Sequence, residues 1–125
     1  MTLRRDILLL LTTRTFPLSD EKALQVEMAA AFTAAGIAFE REVHLGAGDI
    51  IDFMAFADGG ECLNVGLGIE VKIKGARRAI FRQVERYCGY PAVREIILAT
   101  NVPMNLPYEI NGKPTAIAAL GRGWL

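Results

Sequence analysis

The segment Arg94-Glu95-Ile96-Ile97-Leu98-Ala99-Thr100 constrains the fold more than any other stretch of the chain. Its apolar centre is continuous rather than alternating, the pattern of a strand covered on both faces. A sheet reaches that state when helices pack on each side of it, so the expected class is α/β with a mixed central sheet. A length of 125 residues suits a single domain, 1–125, which buries roughly two thirds of its unfolded surface without disulfide or metal staples. With 52% hydrophobic and 22% charged residues, disorder and fibrous repeats are excluded.

The remaining elements are arranged around that strand. Ser19-Asp20-Glu21 signals a helix start, and Leu24, Met28, Ala31 and Ala35 form an apolar stripe that ends at Gly36. Strands are predicted over 37–45, 49–57 and 65–73, separated by turns at Gly46-Ala47-Gly48 and Asp58-Gly59-Gly60. Lys74-Gly75 breaks the third strand, and a second helix over 76–90 turns Ile80, Val84, Tyr87 and Cys88 inward. Beyond the apolar strand, a proline-punctuated stretch turns at Asn111-Gly112, and 115–120 reads as a last edge strand. The run 7–11 after Arg4-Arg5 is too short for a membrane span and lacks a cleavage site, so a short buried helix or strand in a soluble cytoplasmic protein is expected. Cys62 and Cys88 read as free thiols, with no disulfide-linked partner.

The chemistry-bearing residues are Asp52, Glu70 and Lys72. Side chains two apart on a strand share a face, so Glu70 and Lys72 project together while Val71 points the other way. If the second and third strands pair across their turn, Asp52 lies beside Glu70. Paired carboxylates are hard oxygen ligands suited to Mg²⁺ or Mn²⁺, and a neighbouring lysine can orient an attacking water and offset charge on a scissile phosphate. The same spacing also describes an exposed Glu/Lys pair of little energetic weight. The apolar context speaks against that, because an unpaired charge is costly there. His44, the only histidine, reads as a partly buried strand residue and cannot build a zinc cluster or a catalytic triad by itself. Gly66, Gly68 and Gly75 do not form a phosphate loop, and Trp124 reads as a packing anchor.

Five segments follow one another in order: the first helix with Glu21 and Gln25, Ile51-Asp52-Phe53, Ile69-Glu70-Val71-Lys72, Gln83-Val84-Glu85-Arg86-Tyr87, and Ile96-Ile97-Leu98-Ala99-Thr100. In this combination the chain resembles the PD-(D/E)XK nuclease superfamily, the restriction-endonuclease-like fold, in a small single-domain form similar to virus-type replication-repair nucleases and Holliday junction resolvases. The resemblance spans about 20–101 and implies an αβββαβ core with a C-terminal edge strand added. It implies divalent-metal-dependent hydrolysis of DNA phosphodiester bonds. Asp52, Glu70 and the Val71 carbonyl would be metal ligands, Lys72 the catalytic lysine, and Gln83 and Tyr87 supports of the site or contacts to substrate. A helix-one carboxylate completes the pattern. Glu21 and Glu27 both flank the buried stripe, so helical phase does not choose; the spacing to Gln25 and Gly36 favours Glu21, with Glu27 as the alternative. Relatives often carry a basic residue where this chain has Ile50, and no proline precedes Asp52. Asp49 is a competing carboxylate, expected on the opposite strand face from Asp52.

A net charge of zero argues against coating nucleic acid by bulk electrostatics. Locally the balance is different. From Lys72 to Arg94 seven basic residues face the single acidic Glu85, an excess of +6 offset by −6 elsewhere. Arg78, Arg82 and Arg86 recur every fourth residue along one helix face, and Lys74, Arg77 and Tyr87 adjoin them as candidate nucleic-acid contacts. The expected function is therefore a metal-dependent endonuclease acting on DNA, including branched or structured DNA. The alternative is a catalytically silent nucleic-acid-binding or protein-interaction module with the same fold. A homodimer is compatible with the first reading, since one small domain carries one site and cutting two strands needs two.

Overall fold

A computed structural model describes residues 2–57 and 65–121. Its elements are α1 (Leu3–Thr13), α2 (Glu21–Ala34), β1 (Ala38–Gly46), β2 (Asp49–Phe56), β3 (Gly66–Lys72), α3 (Arg77–Tyr87), β4 (Val93–Thr100), β5 (Glu109–Ile110) and β6 (Lys113–Ala119). The expected turn at Asp58-Gly59-Gly60, Cys62 and Trp124 lie outside the described residues.

The strands form one mixed sheet in the order β1-β2-β3-β4-β6-β5. Strand β2 runs antiparallel to both β1 and β3, whereas β3, β4 and β6 are parallel to one another. β4 thus lies between two parallel partners, with helices on both sheet faces, which accounts for its continuous apolar run. Alternate residues divide between two cores. Phe53, Leu67, Ile69, Val71, Ile97 and Ala99 pack with Ile7 and Leu11 of α1 and Leu24, Met28 and Phe32 of α2. Met54, Ile96 and Leu98 pack with Ile80, Val84 and Tyr87 of α3. Each large side chain so buried contributes roughly 1.5–3 kcal/mol.

Several expectations change in detail. The run 7–11 is the middle of α1, with Ile7 and Leu11 buried and Leu9 left facing out. Asp20 caps α2 by accepting a hydrogen bond from the Lys22 amide. The buried stripe of α2 closes on Phe32 rather than Ala35, because the helix ends at Ala34 and Ala35 is its exposed C-cap. His44 is exposed rather than partly buried, since it sits on the outermost strand. The predicted last strand, now β6, is flanked on its outer side by the two-residue β5. The pair closes through Asn111 and Gly112, both at positive φ (53° and 76°), the conformation of a tight type I′ hairpin. Among the described residues no helix is long and apolar enough to cross a membrane.

Candidate functional site

The β2–β3 ladder runs Ala55↔Leu67, Met54↔Gly68, Phe53↔Ile69 and stops. The next positions in register are Asp52 and Glu70, and there side chains take over from the backbone. The Asp52 amide donates to Glu70 Oε1 at 3.2 Å, and the Val71 amide donates to Asp52 Oδ2 at 2.8 Å. Each carboxylate therefore crosses the gap between the strands and occupies the other strand's hydrogen-bonding positions. The opening coincides with a change of strand phase. Ile51 packs with the α3-side core and Phe53 with the opposite one, although they are two residues apart. On β1, Glu42 takes a positive φ of 50° between the Arg41↔Phe53 and Val43↔Ile51 pairs. Two irregularities side by side thus turn Asp52 toward β3.

Glu70 and Lys72 share a face as expected, with Lys72 Nζ 3.6 Å from Glu70 Oε2, while Val71 is fully buried on the other side. Glu21 reaches the same end of β3, where its Oε1 accepts from the Ile73 amide at 3.3 Å. Helical phase left Glu21 and Glu27 equivalent; the structure brings Glu21 to the end of β3 next to the cluster, without joining it, and leaves Glu27 exposed. Glu70 is 3% exposed, and burial together with the Asp52 charge pushes its carboxyl up to about 8. Asp52 is also raised, chiefly by burial and against the pull of the Val71 amide. Glu70 is buried and Asp52 partly so, and Glu70 keeps its proton at neutral pH beside the single Lys72 ammonium, so both carboxylates can ionise together only with further positive charge.

Asp49 has a different environment. Arg86 donates to it through Nε and Nη2 (3.3 and 3.1 Å to Oδ1), and the Tyr90 hydroxyl donates to Oδ2 at 2.8 Å. These bonds hold its carboxyl below the ordinary range, with the Arg86 guanidinium as the main cause. Asp49 is therefore bound against α3 rather than gathered with the other carboxylates, and Arg86 already has an ion-pair partner.

Gln83 and Tyr87 form a brace. Gln83 Nε2 donates to the Tyr87 hydroxyl at 2.7 Å, which donates to the Ile50 carbonyl at 2.9 Å, tying α3 to the strand just before Asp52. Tyr87 is buried, and its hydroxyl is pushed up to about 12 by burial and the nearby Glu70 charge. Tyr87 is therefore a core residue with its polar tip in use, not a surface contact. Lys74, Arg77, Arg78 and Arg82 are exposed. The sequence missed Thr100 as a member of this neighbourhood. Its hydroxyl donates to the Lys72 carbonyl at 2.6 Å and accepts from the Val102 amide at 3.0 Å. Its place opposite Lys72 in the parallel register follows from topology, for which the sequence offered no pairing signal.

Among the described residues no three His, Cys, Asp or Glu side chains are gathered closely enough to hold a metal ion by themselves. In comparisons with known proteins no family model, no curated protein and no solved structure matches the chain.

Proposed function

We propose that the chain is a divalent-metal-dependent nuclease of the PD-(D/E)XK kind, hydrolysing DNA phosphodiester bonds at the Asp52–Glu70–Lys72 cluster. The observation that carries this reading is the exchange of carboxylates across the opened β2–β3 ladder, with an ammonium 3.6 Å away. Burial raises both carboxyls and the Asp52 charge raises Glu70 further, and a cation between them reverses the sign of that interaction. The donor set is all oxygen, which fits Mg²⁺ or Mn²⁺. Asp52, Glu70 and the Val71 carbonyl would hold the ion, with Glu21 adjoining. Two carboxylates suffice, because Mg²⁺ keeps several waters and binds substrate phosphate oxygens. Bound there, the metal would polarise the phosphate and make a coordinated water more acidic.

The protein's own groups supply the rest. Lys72 directs its ammonium to the side of Glu70, where it can orient the attacking water and offset charge on the phosphate. Gln83 and Tyr87 hold β2 at Ile50 and so act as positioning residues for Asp52. Lys74, Arg77, Arg78 and Arg82 offer phosphate contacts on the same side of the sheet. A dimer would supply the second site needed to cut both strands of a duplex.

The test is hydrolysis of linear, nicked, flap and junction DNAs with Mg²⁺ or Mn²⁺. The expected result is cleavage by the native chain and its loss in Asp52→Asn and Lys72→Ala, with folding checked by circular dichroism. Unchanged activity in both variants would overturn the assignment. The exposed Arg77, Arg78 and Arg82, which can meet phosphate without any metal, also fit a second reading, a silent binding module. Salt-sensitive DNA binding without cleavage under every metal condition would select it.

A further inference from the structure

We propose that the groove between α3 and the loop after β4 is a pocket for one unstacked nucleobase of the DNA strand bound at the cluster; this rests on the nucleic-acid reading above. The groove has a volume of about 730 Å³, inside the roughly 300–1,000 Å³ usual for small-ligand sites. Arg77 and Arg78 line its helical side, Phe81 and Met104 give it apolar walls, and Thr100 and Asn101 line it where β4 ends.

Three observations join it to the cluster. Thr100 pairs with Lys72 in the β3–β4 register, and its hydroxyl bonds the Lys72 carbonyl. Glu70 and Lys72 point to the α3 side of the sheet, opposite Val71, and Phe81 and Ile117 of the groove belong to the core on that side. A strand whose phosphate sits at Lys72 therefore has the groove as its immediate neighbour. The third observation concerns chemistry. Asn101 lines the groove and is half-buried, and its Oδ1 is the one closed-off side-chain polar atom among the described residues that lacks a hydrogen-bond partner. Leaving such an atom unpaired is costly, and turning the amide into the groove would let a donor on an incoming base relieve it. A nucleobase supplies what this lining lacks: a flat face for Phe81, ring or exocyclic N–H groups for Asn101, and a phosphate for the flanking arginines. A protein segment would not need the pairing of arginines with an aromatic wall next to a carboxylate cluster.

The experiment uses the full chain in EDTA and a short single-stranded oligonucleotide, intact or with one base removed at successive positions, read by fluorescence anisotropy. With the intact oligonucleotide, Phe81→Leu and Asn101→Ala should each weaken binding by about 10-fold, the scale of losing one stacked base. Removing the base at one position should weaken the native chain by more than either substitution and weaken each variant by less than it weakens the native chain, because each variant keeps one of the two contacts. Asn101→Ala should melt no lower than the native chain, because it deletes an unsatisfied acceptor. A loss of binding without a loss of stability separates a ligand role from a structural one.

Base removal that costs the same in the native chain and both variants overturns the pocket. So does no oligonucleotide binding at all, or tighter binding of dAMP than of the oligonucleotide, which would make this a free-nucleotide site. Position-specific base dependence without cleavage in Mg²⁺ or Mn²⁺ would support the pocket while the nuclease reading fails. Cleavage with no base dependence would do the opposite.

Discussion

Asp49 and Asp52 lie three residues apart on one strand and have opposite electrostatic fates. Asp49 meets a two-pronged guanidinium and a phenol, and its carboxyl is held below the ordinary 3.8. Asp52 meets a second carboxylate in a partly dry gap, and both it and Glu70 are raised. The Asp49–Arg86 pair fastens α3 to β2 and is complete without any ligand. The Asp52–Glu70 pair consumes stability that the fold must supply elsewhere, which fits the proposed role in chemistry better than a role in folding. Equivalent amide substitutions on the two sides should therefore behave oppositely.

The largest expected difference is in activity. Glu70→Gln should lower DNA cleavage by more than about 100-fold, since even partners one step removed from a metal cost 10–100-fold when lost. Asp49→Asn should stay within about 10-fold, because its effect reaches the reacting phosphate only through the placement of α3. Equal losses would erase the distinction between the two carboxylates.

Metal addition comes next. With Mg²⁺ or Mn²⁺ at about 100 times its Kd, the native chain should gain roughly 2.7 kcal/mol of stability, read as a rise in Tm. Asp52→Asn and Glu70→Gln should abolish the gain, and Asp49→Asn should keep it. The gain should also grow with pH toward about 8, because the ion must displace the proton that Glu70 retains.

The pH dependence of metal-free stability should differ in sign between the two sites. Glu70 has a folded-state pKa of about 8 against an ordinary 4.5, so the folded chain binds more protons between those values. Stability must therefore fall as pH rises through that window. Glu70→Gln should remove this fall and be the more stable protein at its alkaline end by at least about 1 kcal/mol. Asp49, whose carboxyl is depressed, contributes stability above its ordinary 3.8 that disappears as pH drops through its lowered folded value. Asp49→Asn should thus be destabilised at neutral pH and converge on the native chain in acid. Melting curves across pH in EDTA check both.

The sequence carried some of this contrast and not the rest. The apolar run of β4 announced a sheet covered on both sides, and strand alternation put Glu70 and Lys72 together because both are local, period-two signals. Helical phase could not separate Glu21 from Glu27, since both flank the stripe; only the end of β3, whose Ile73 amide Glu21 meets, places Glu21 nearer the cluster. Arg86 looked like one of three equivalent arginines because its partner lies 37 positions earlier in the chain. Asp52 beside Glu70 was expected from strand pairing, but the opening of the ladder there was hidden. It goes with a left-handed Glu42 on the neighbouring strand, and glutamate, unlike glycine or asparagine, gives no warning of positive φ. Local pattern thus specified which residues face which way along regular elements, and long-range pairing decided where regularity ends.

The smallest effect concerns the arginine stripe, and it tests whether Arg86 belongs with Asp49 or with DNA. Arg78 and Arg82 are exposed and form no ion pair among the described residues, whereas Arg86 donates to Asp49 through two nitrogens. A phosphate approaching Arg86 must compete with that carboxylate, so little is gained by the contact. In a plot of log affinity against log salt concentration, Arg78→Ala and Arg82→Ala should each reduce the slope by about one unit, as expected for one lost phosphate contact. Arg86→Ala should change the slope by less and lower Tm instead, and that loss of Tm should vanish in an Asp49→Asn background, because the two substitutions remove one interaction. A full unit of slope at Arg86, undiminished by Asp49→Asn, would move this arginine from the fastening to the phosphate-binding surface and shrink the comparison to the carboxylates alone.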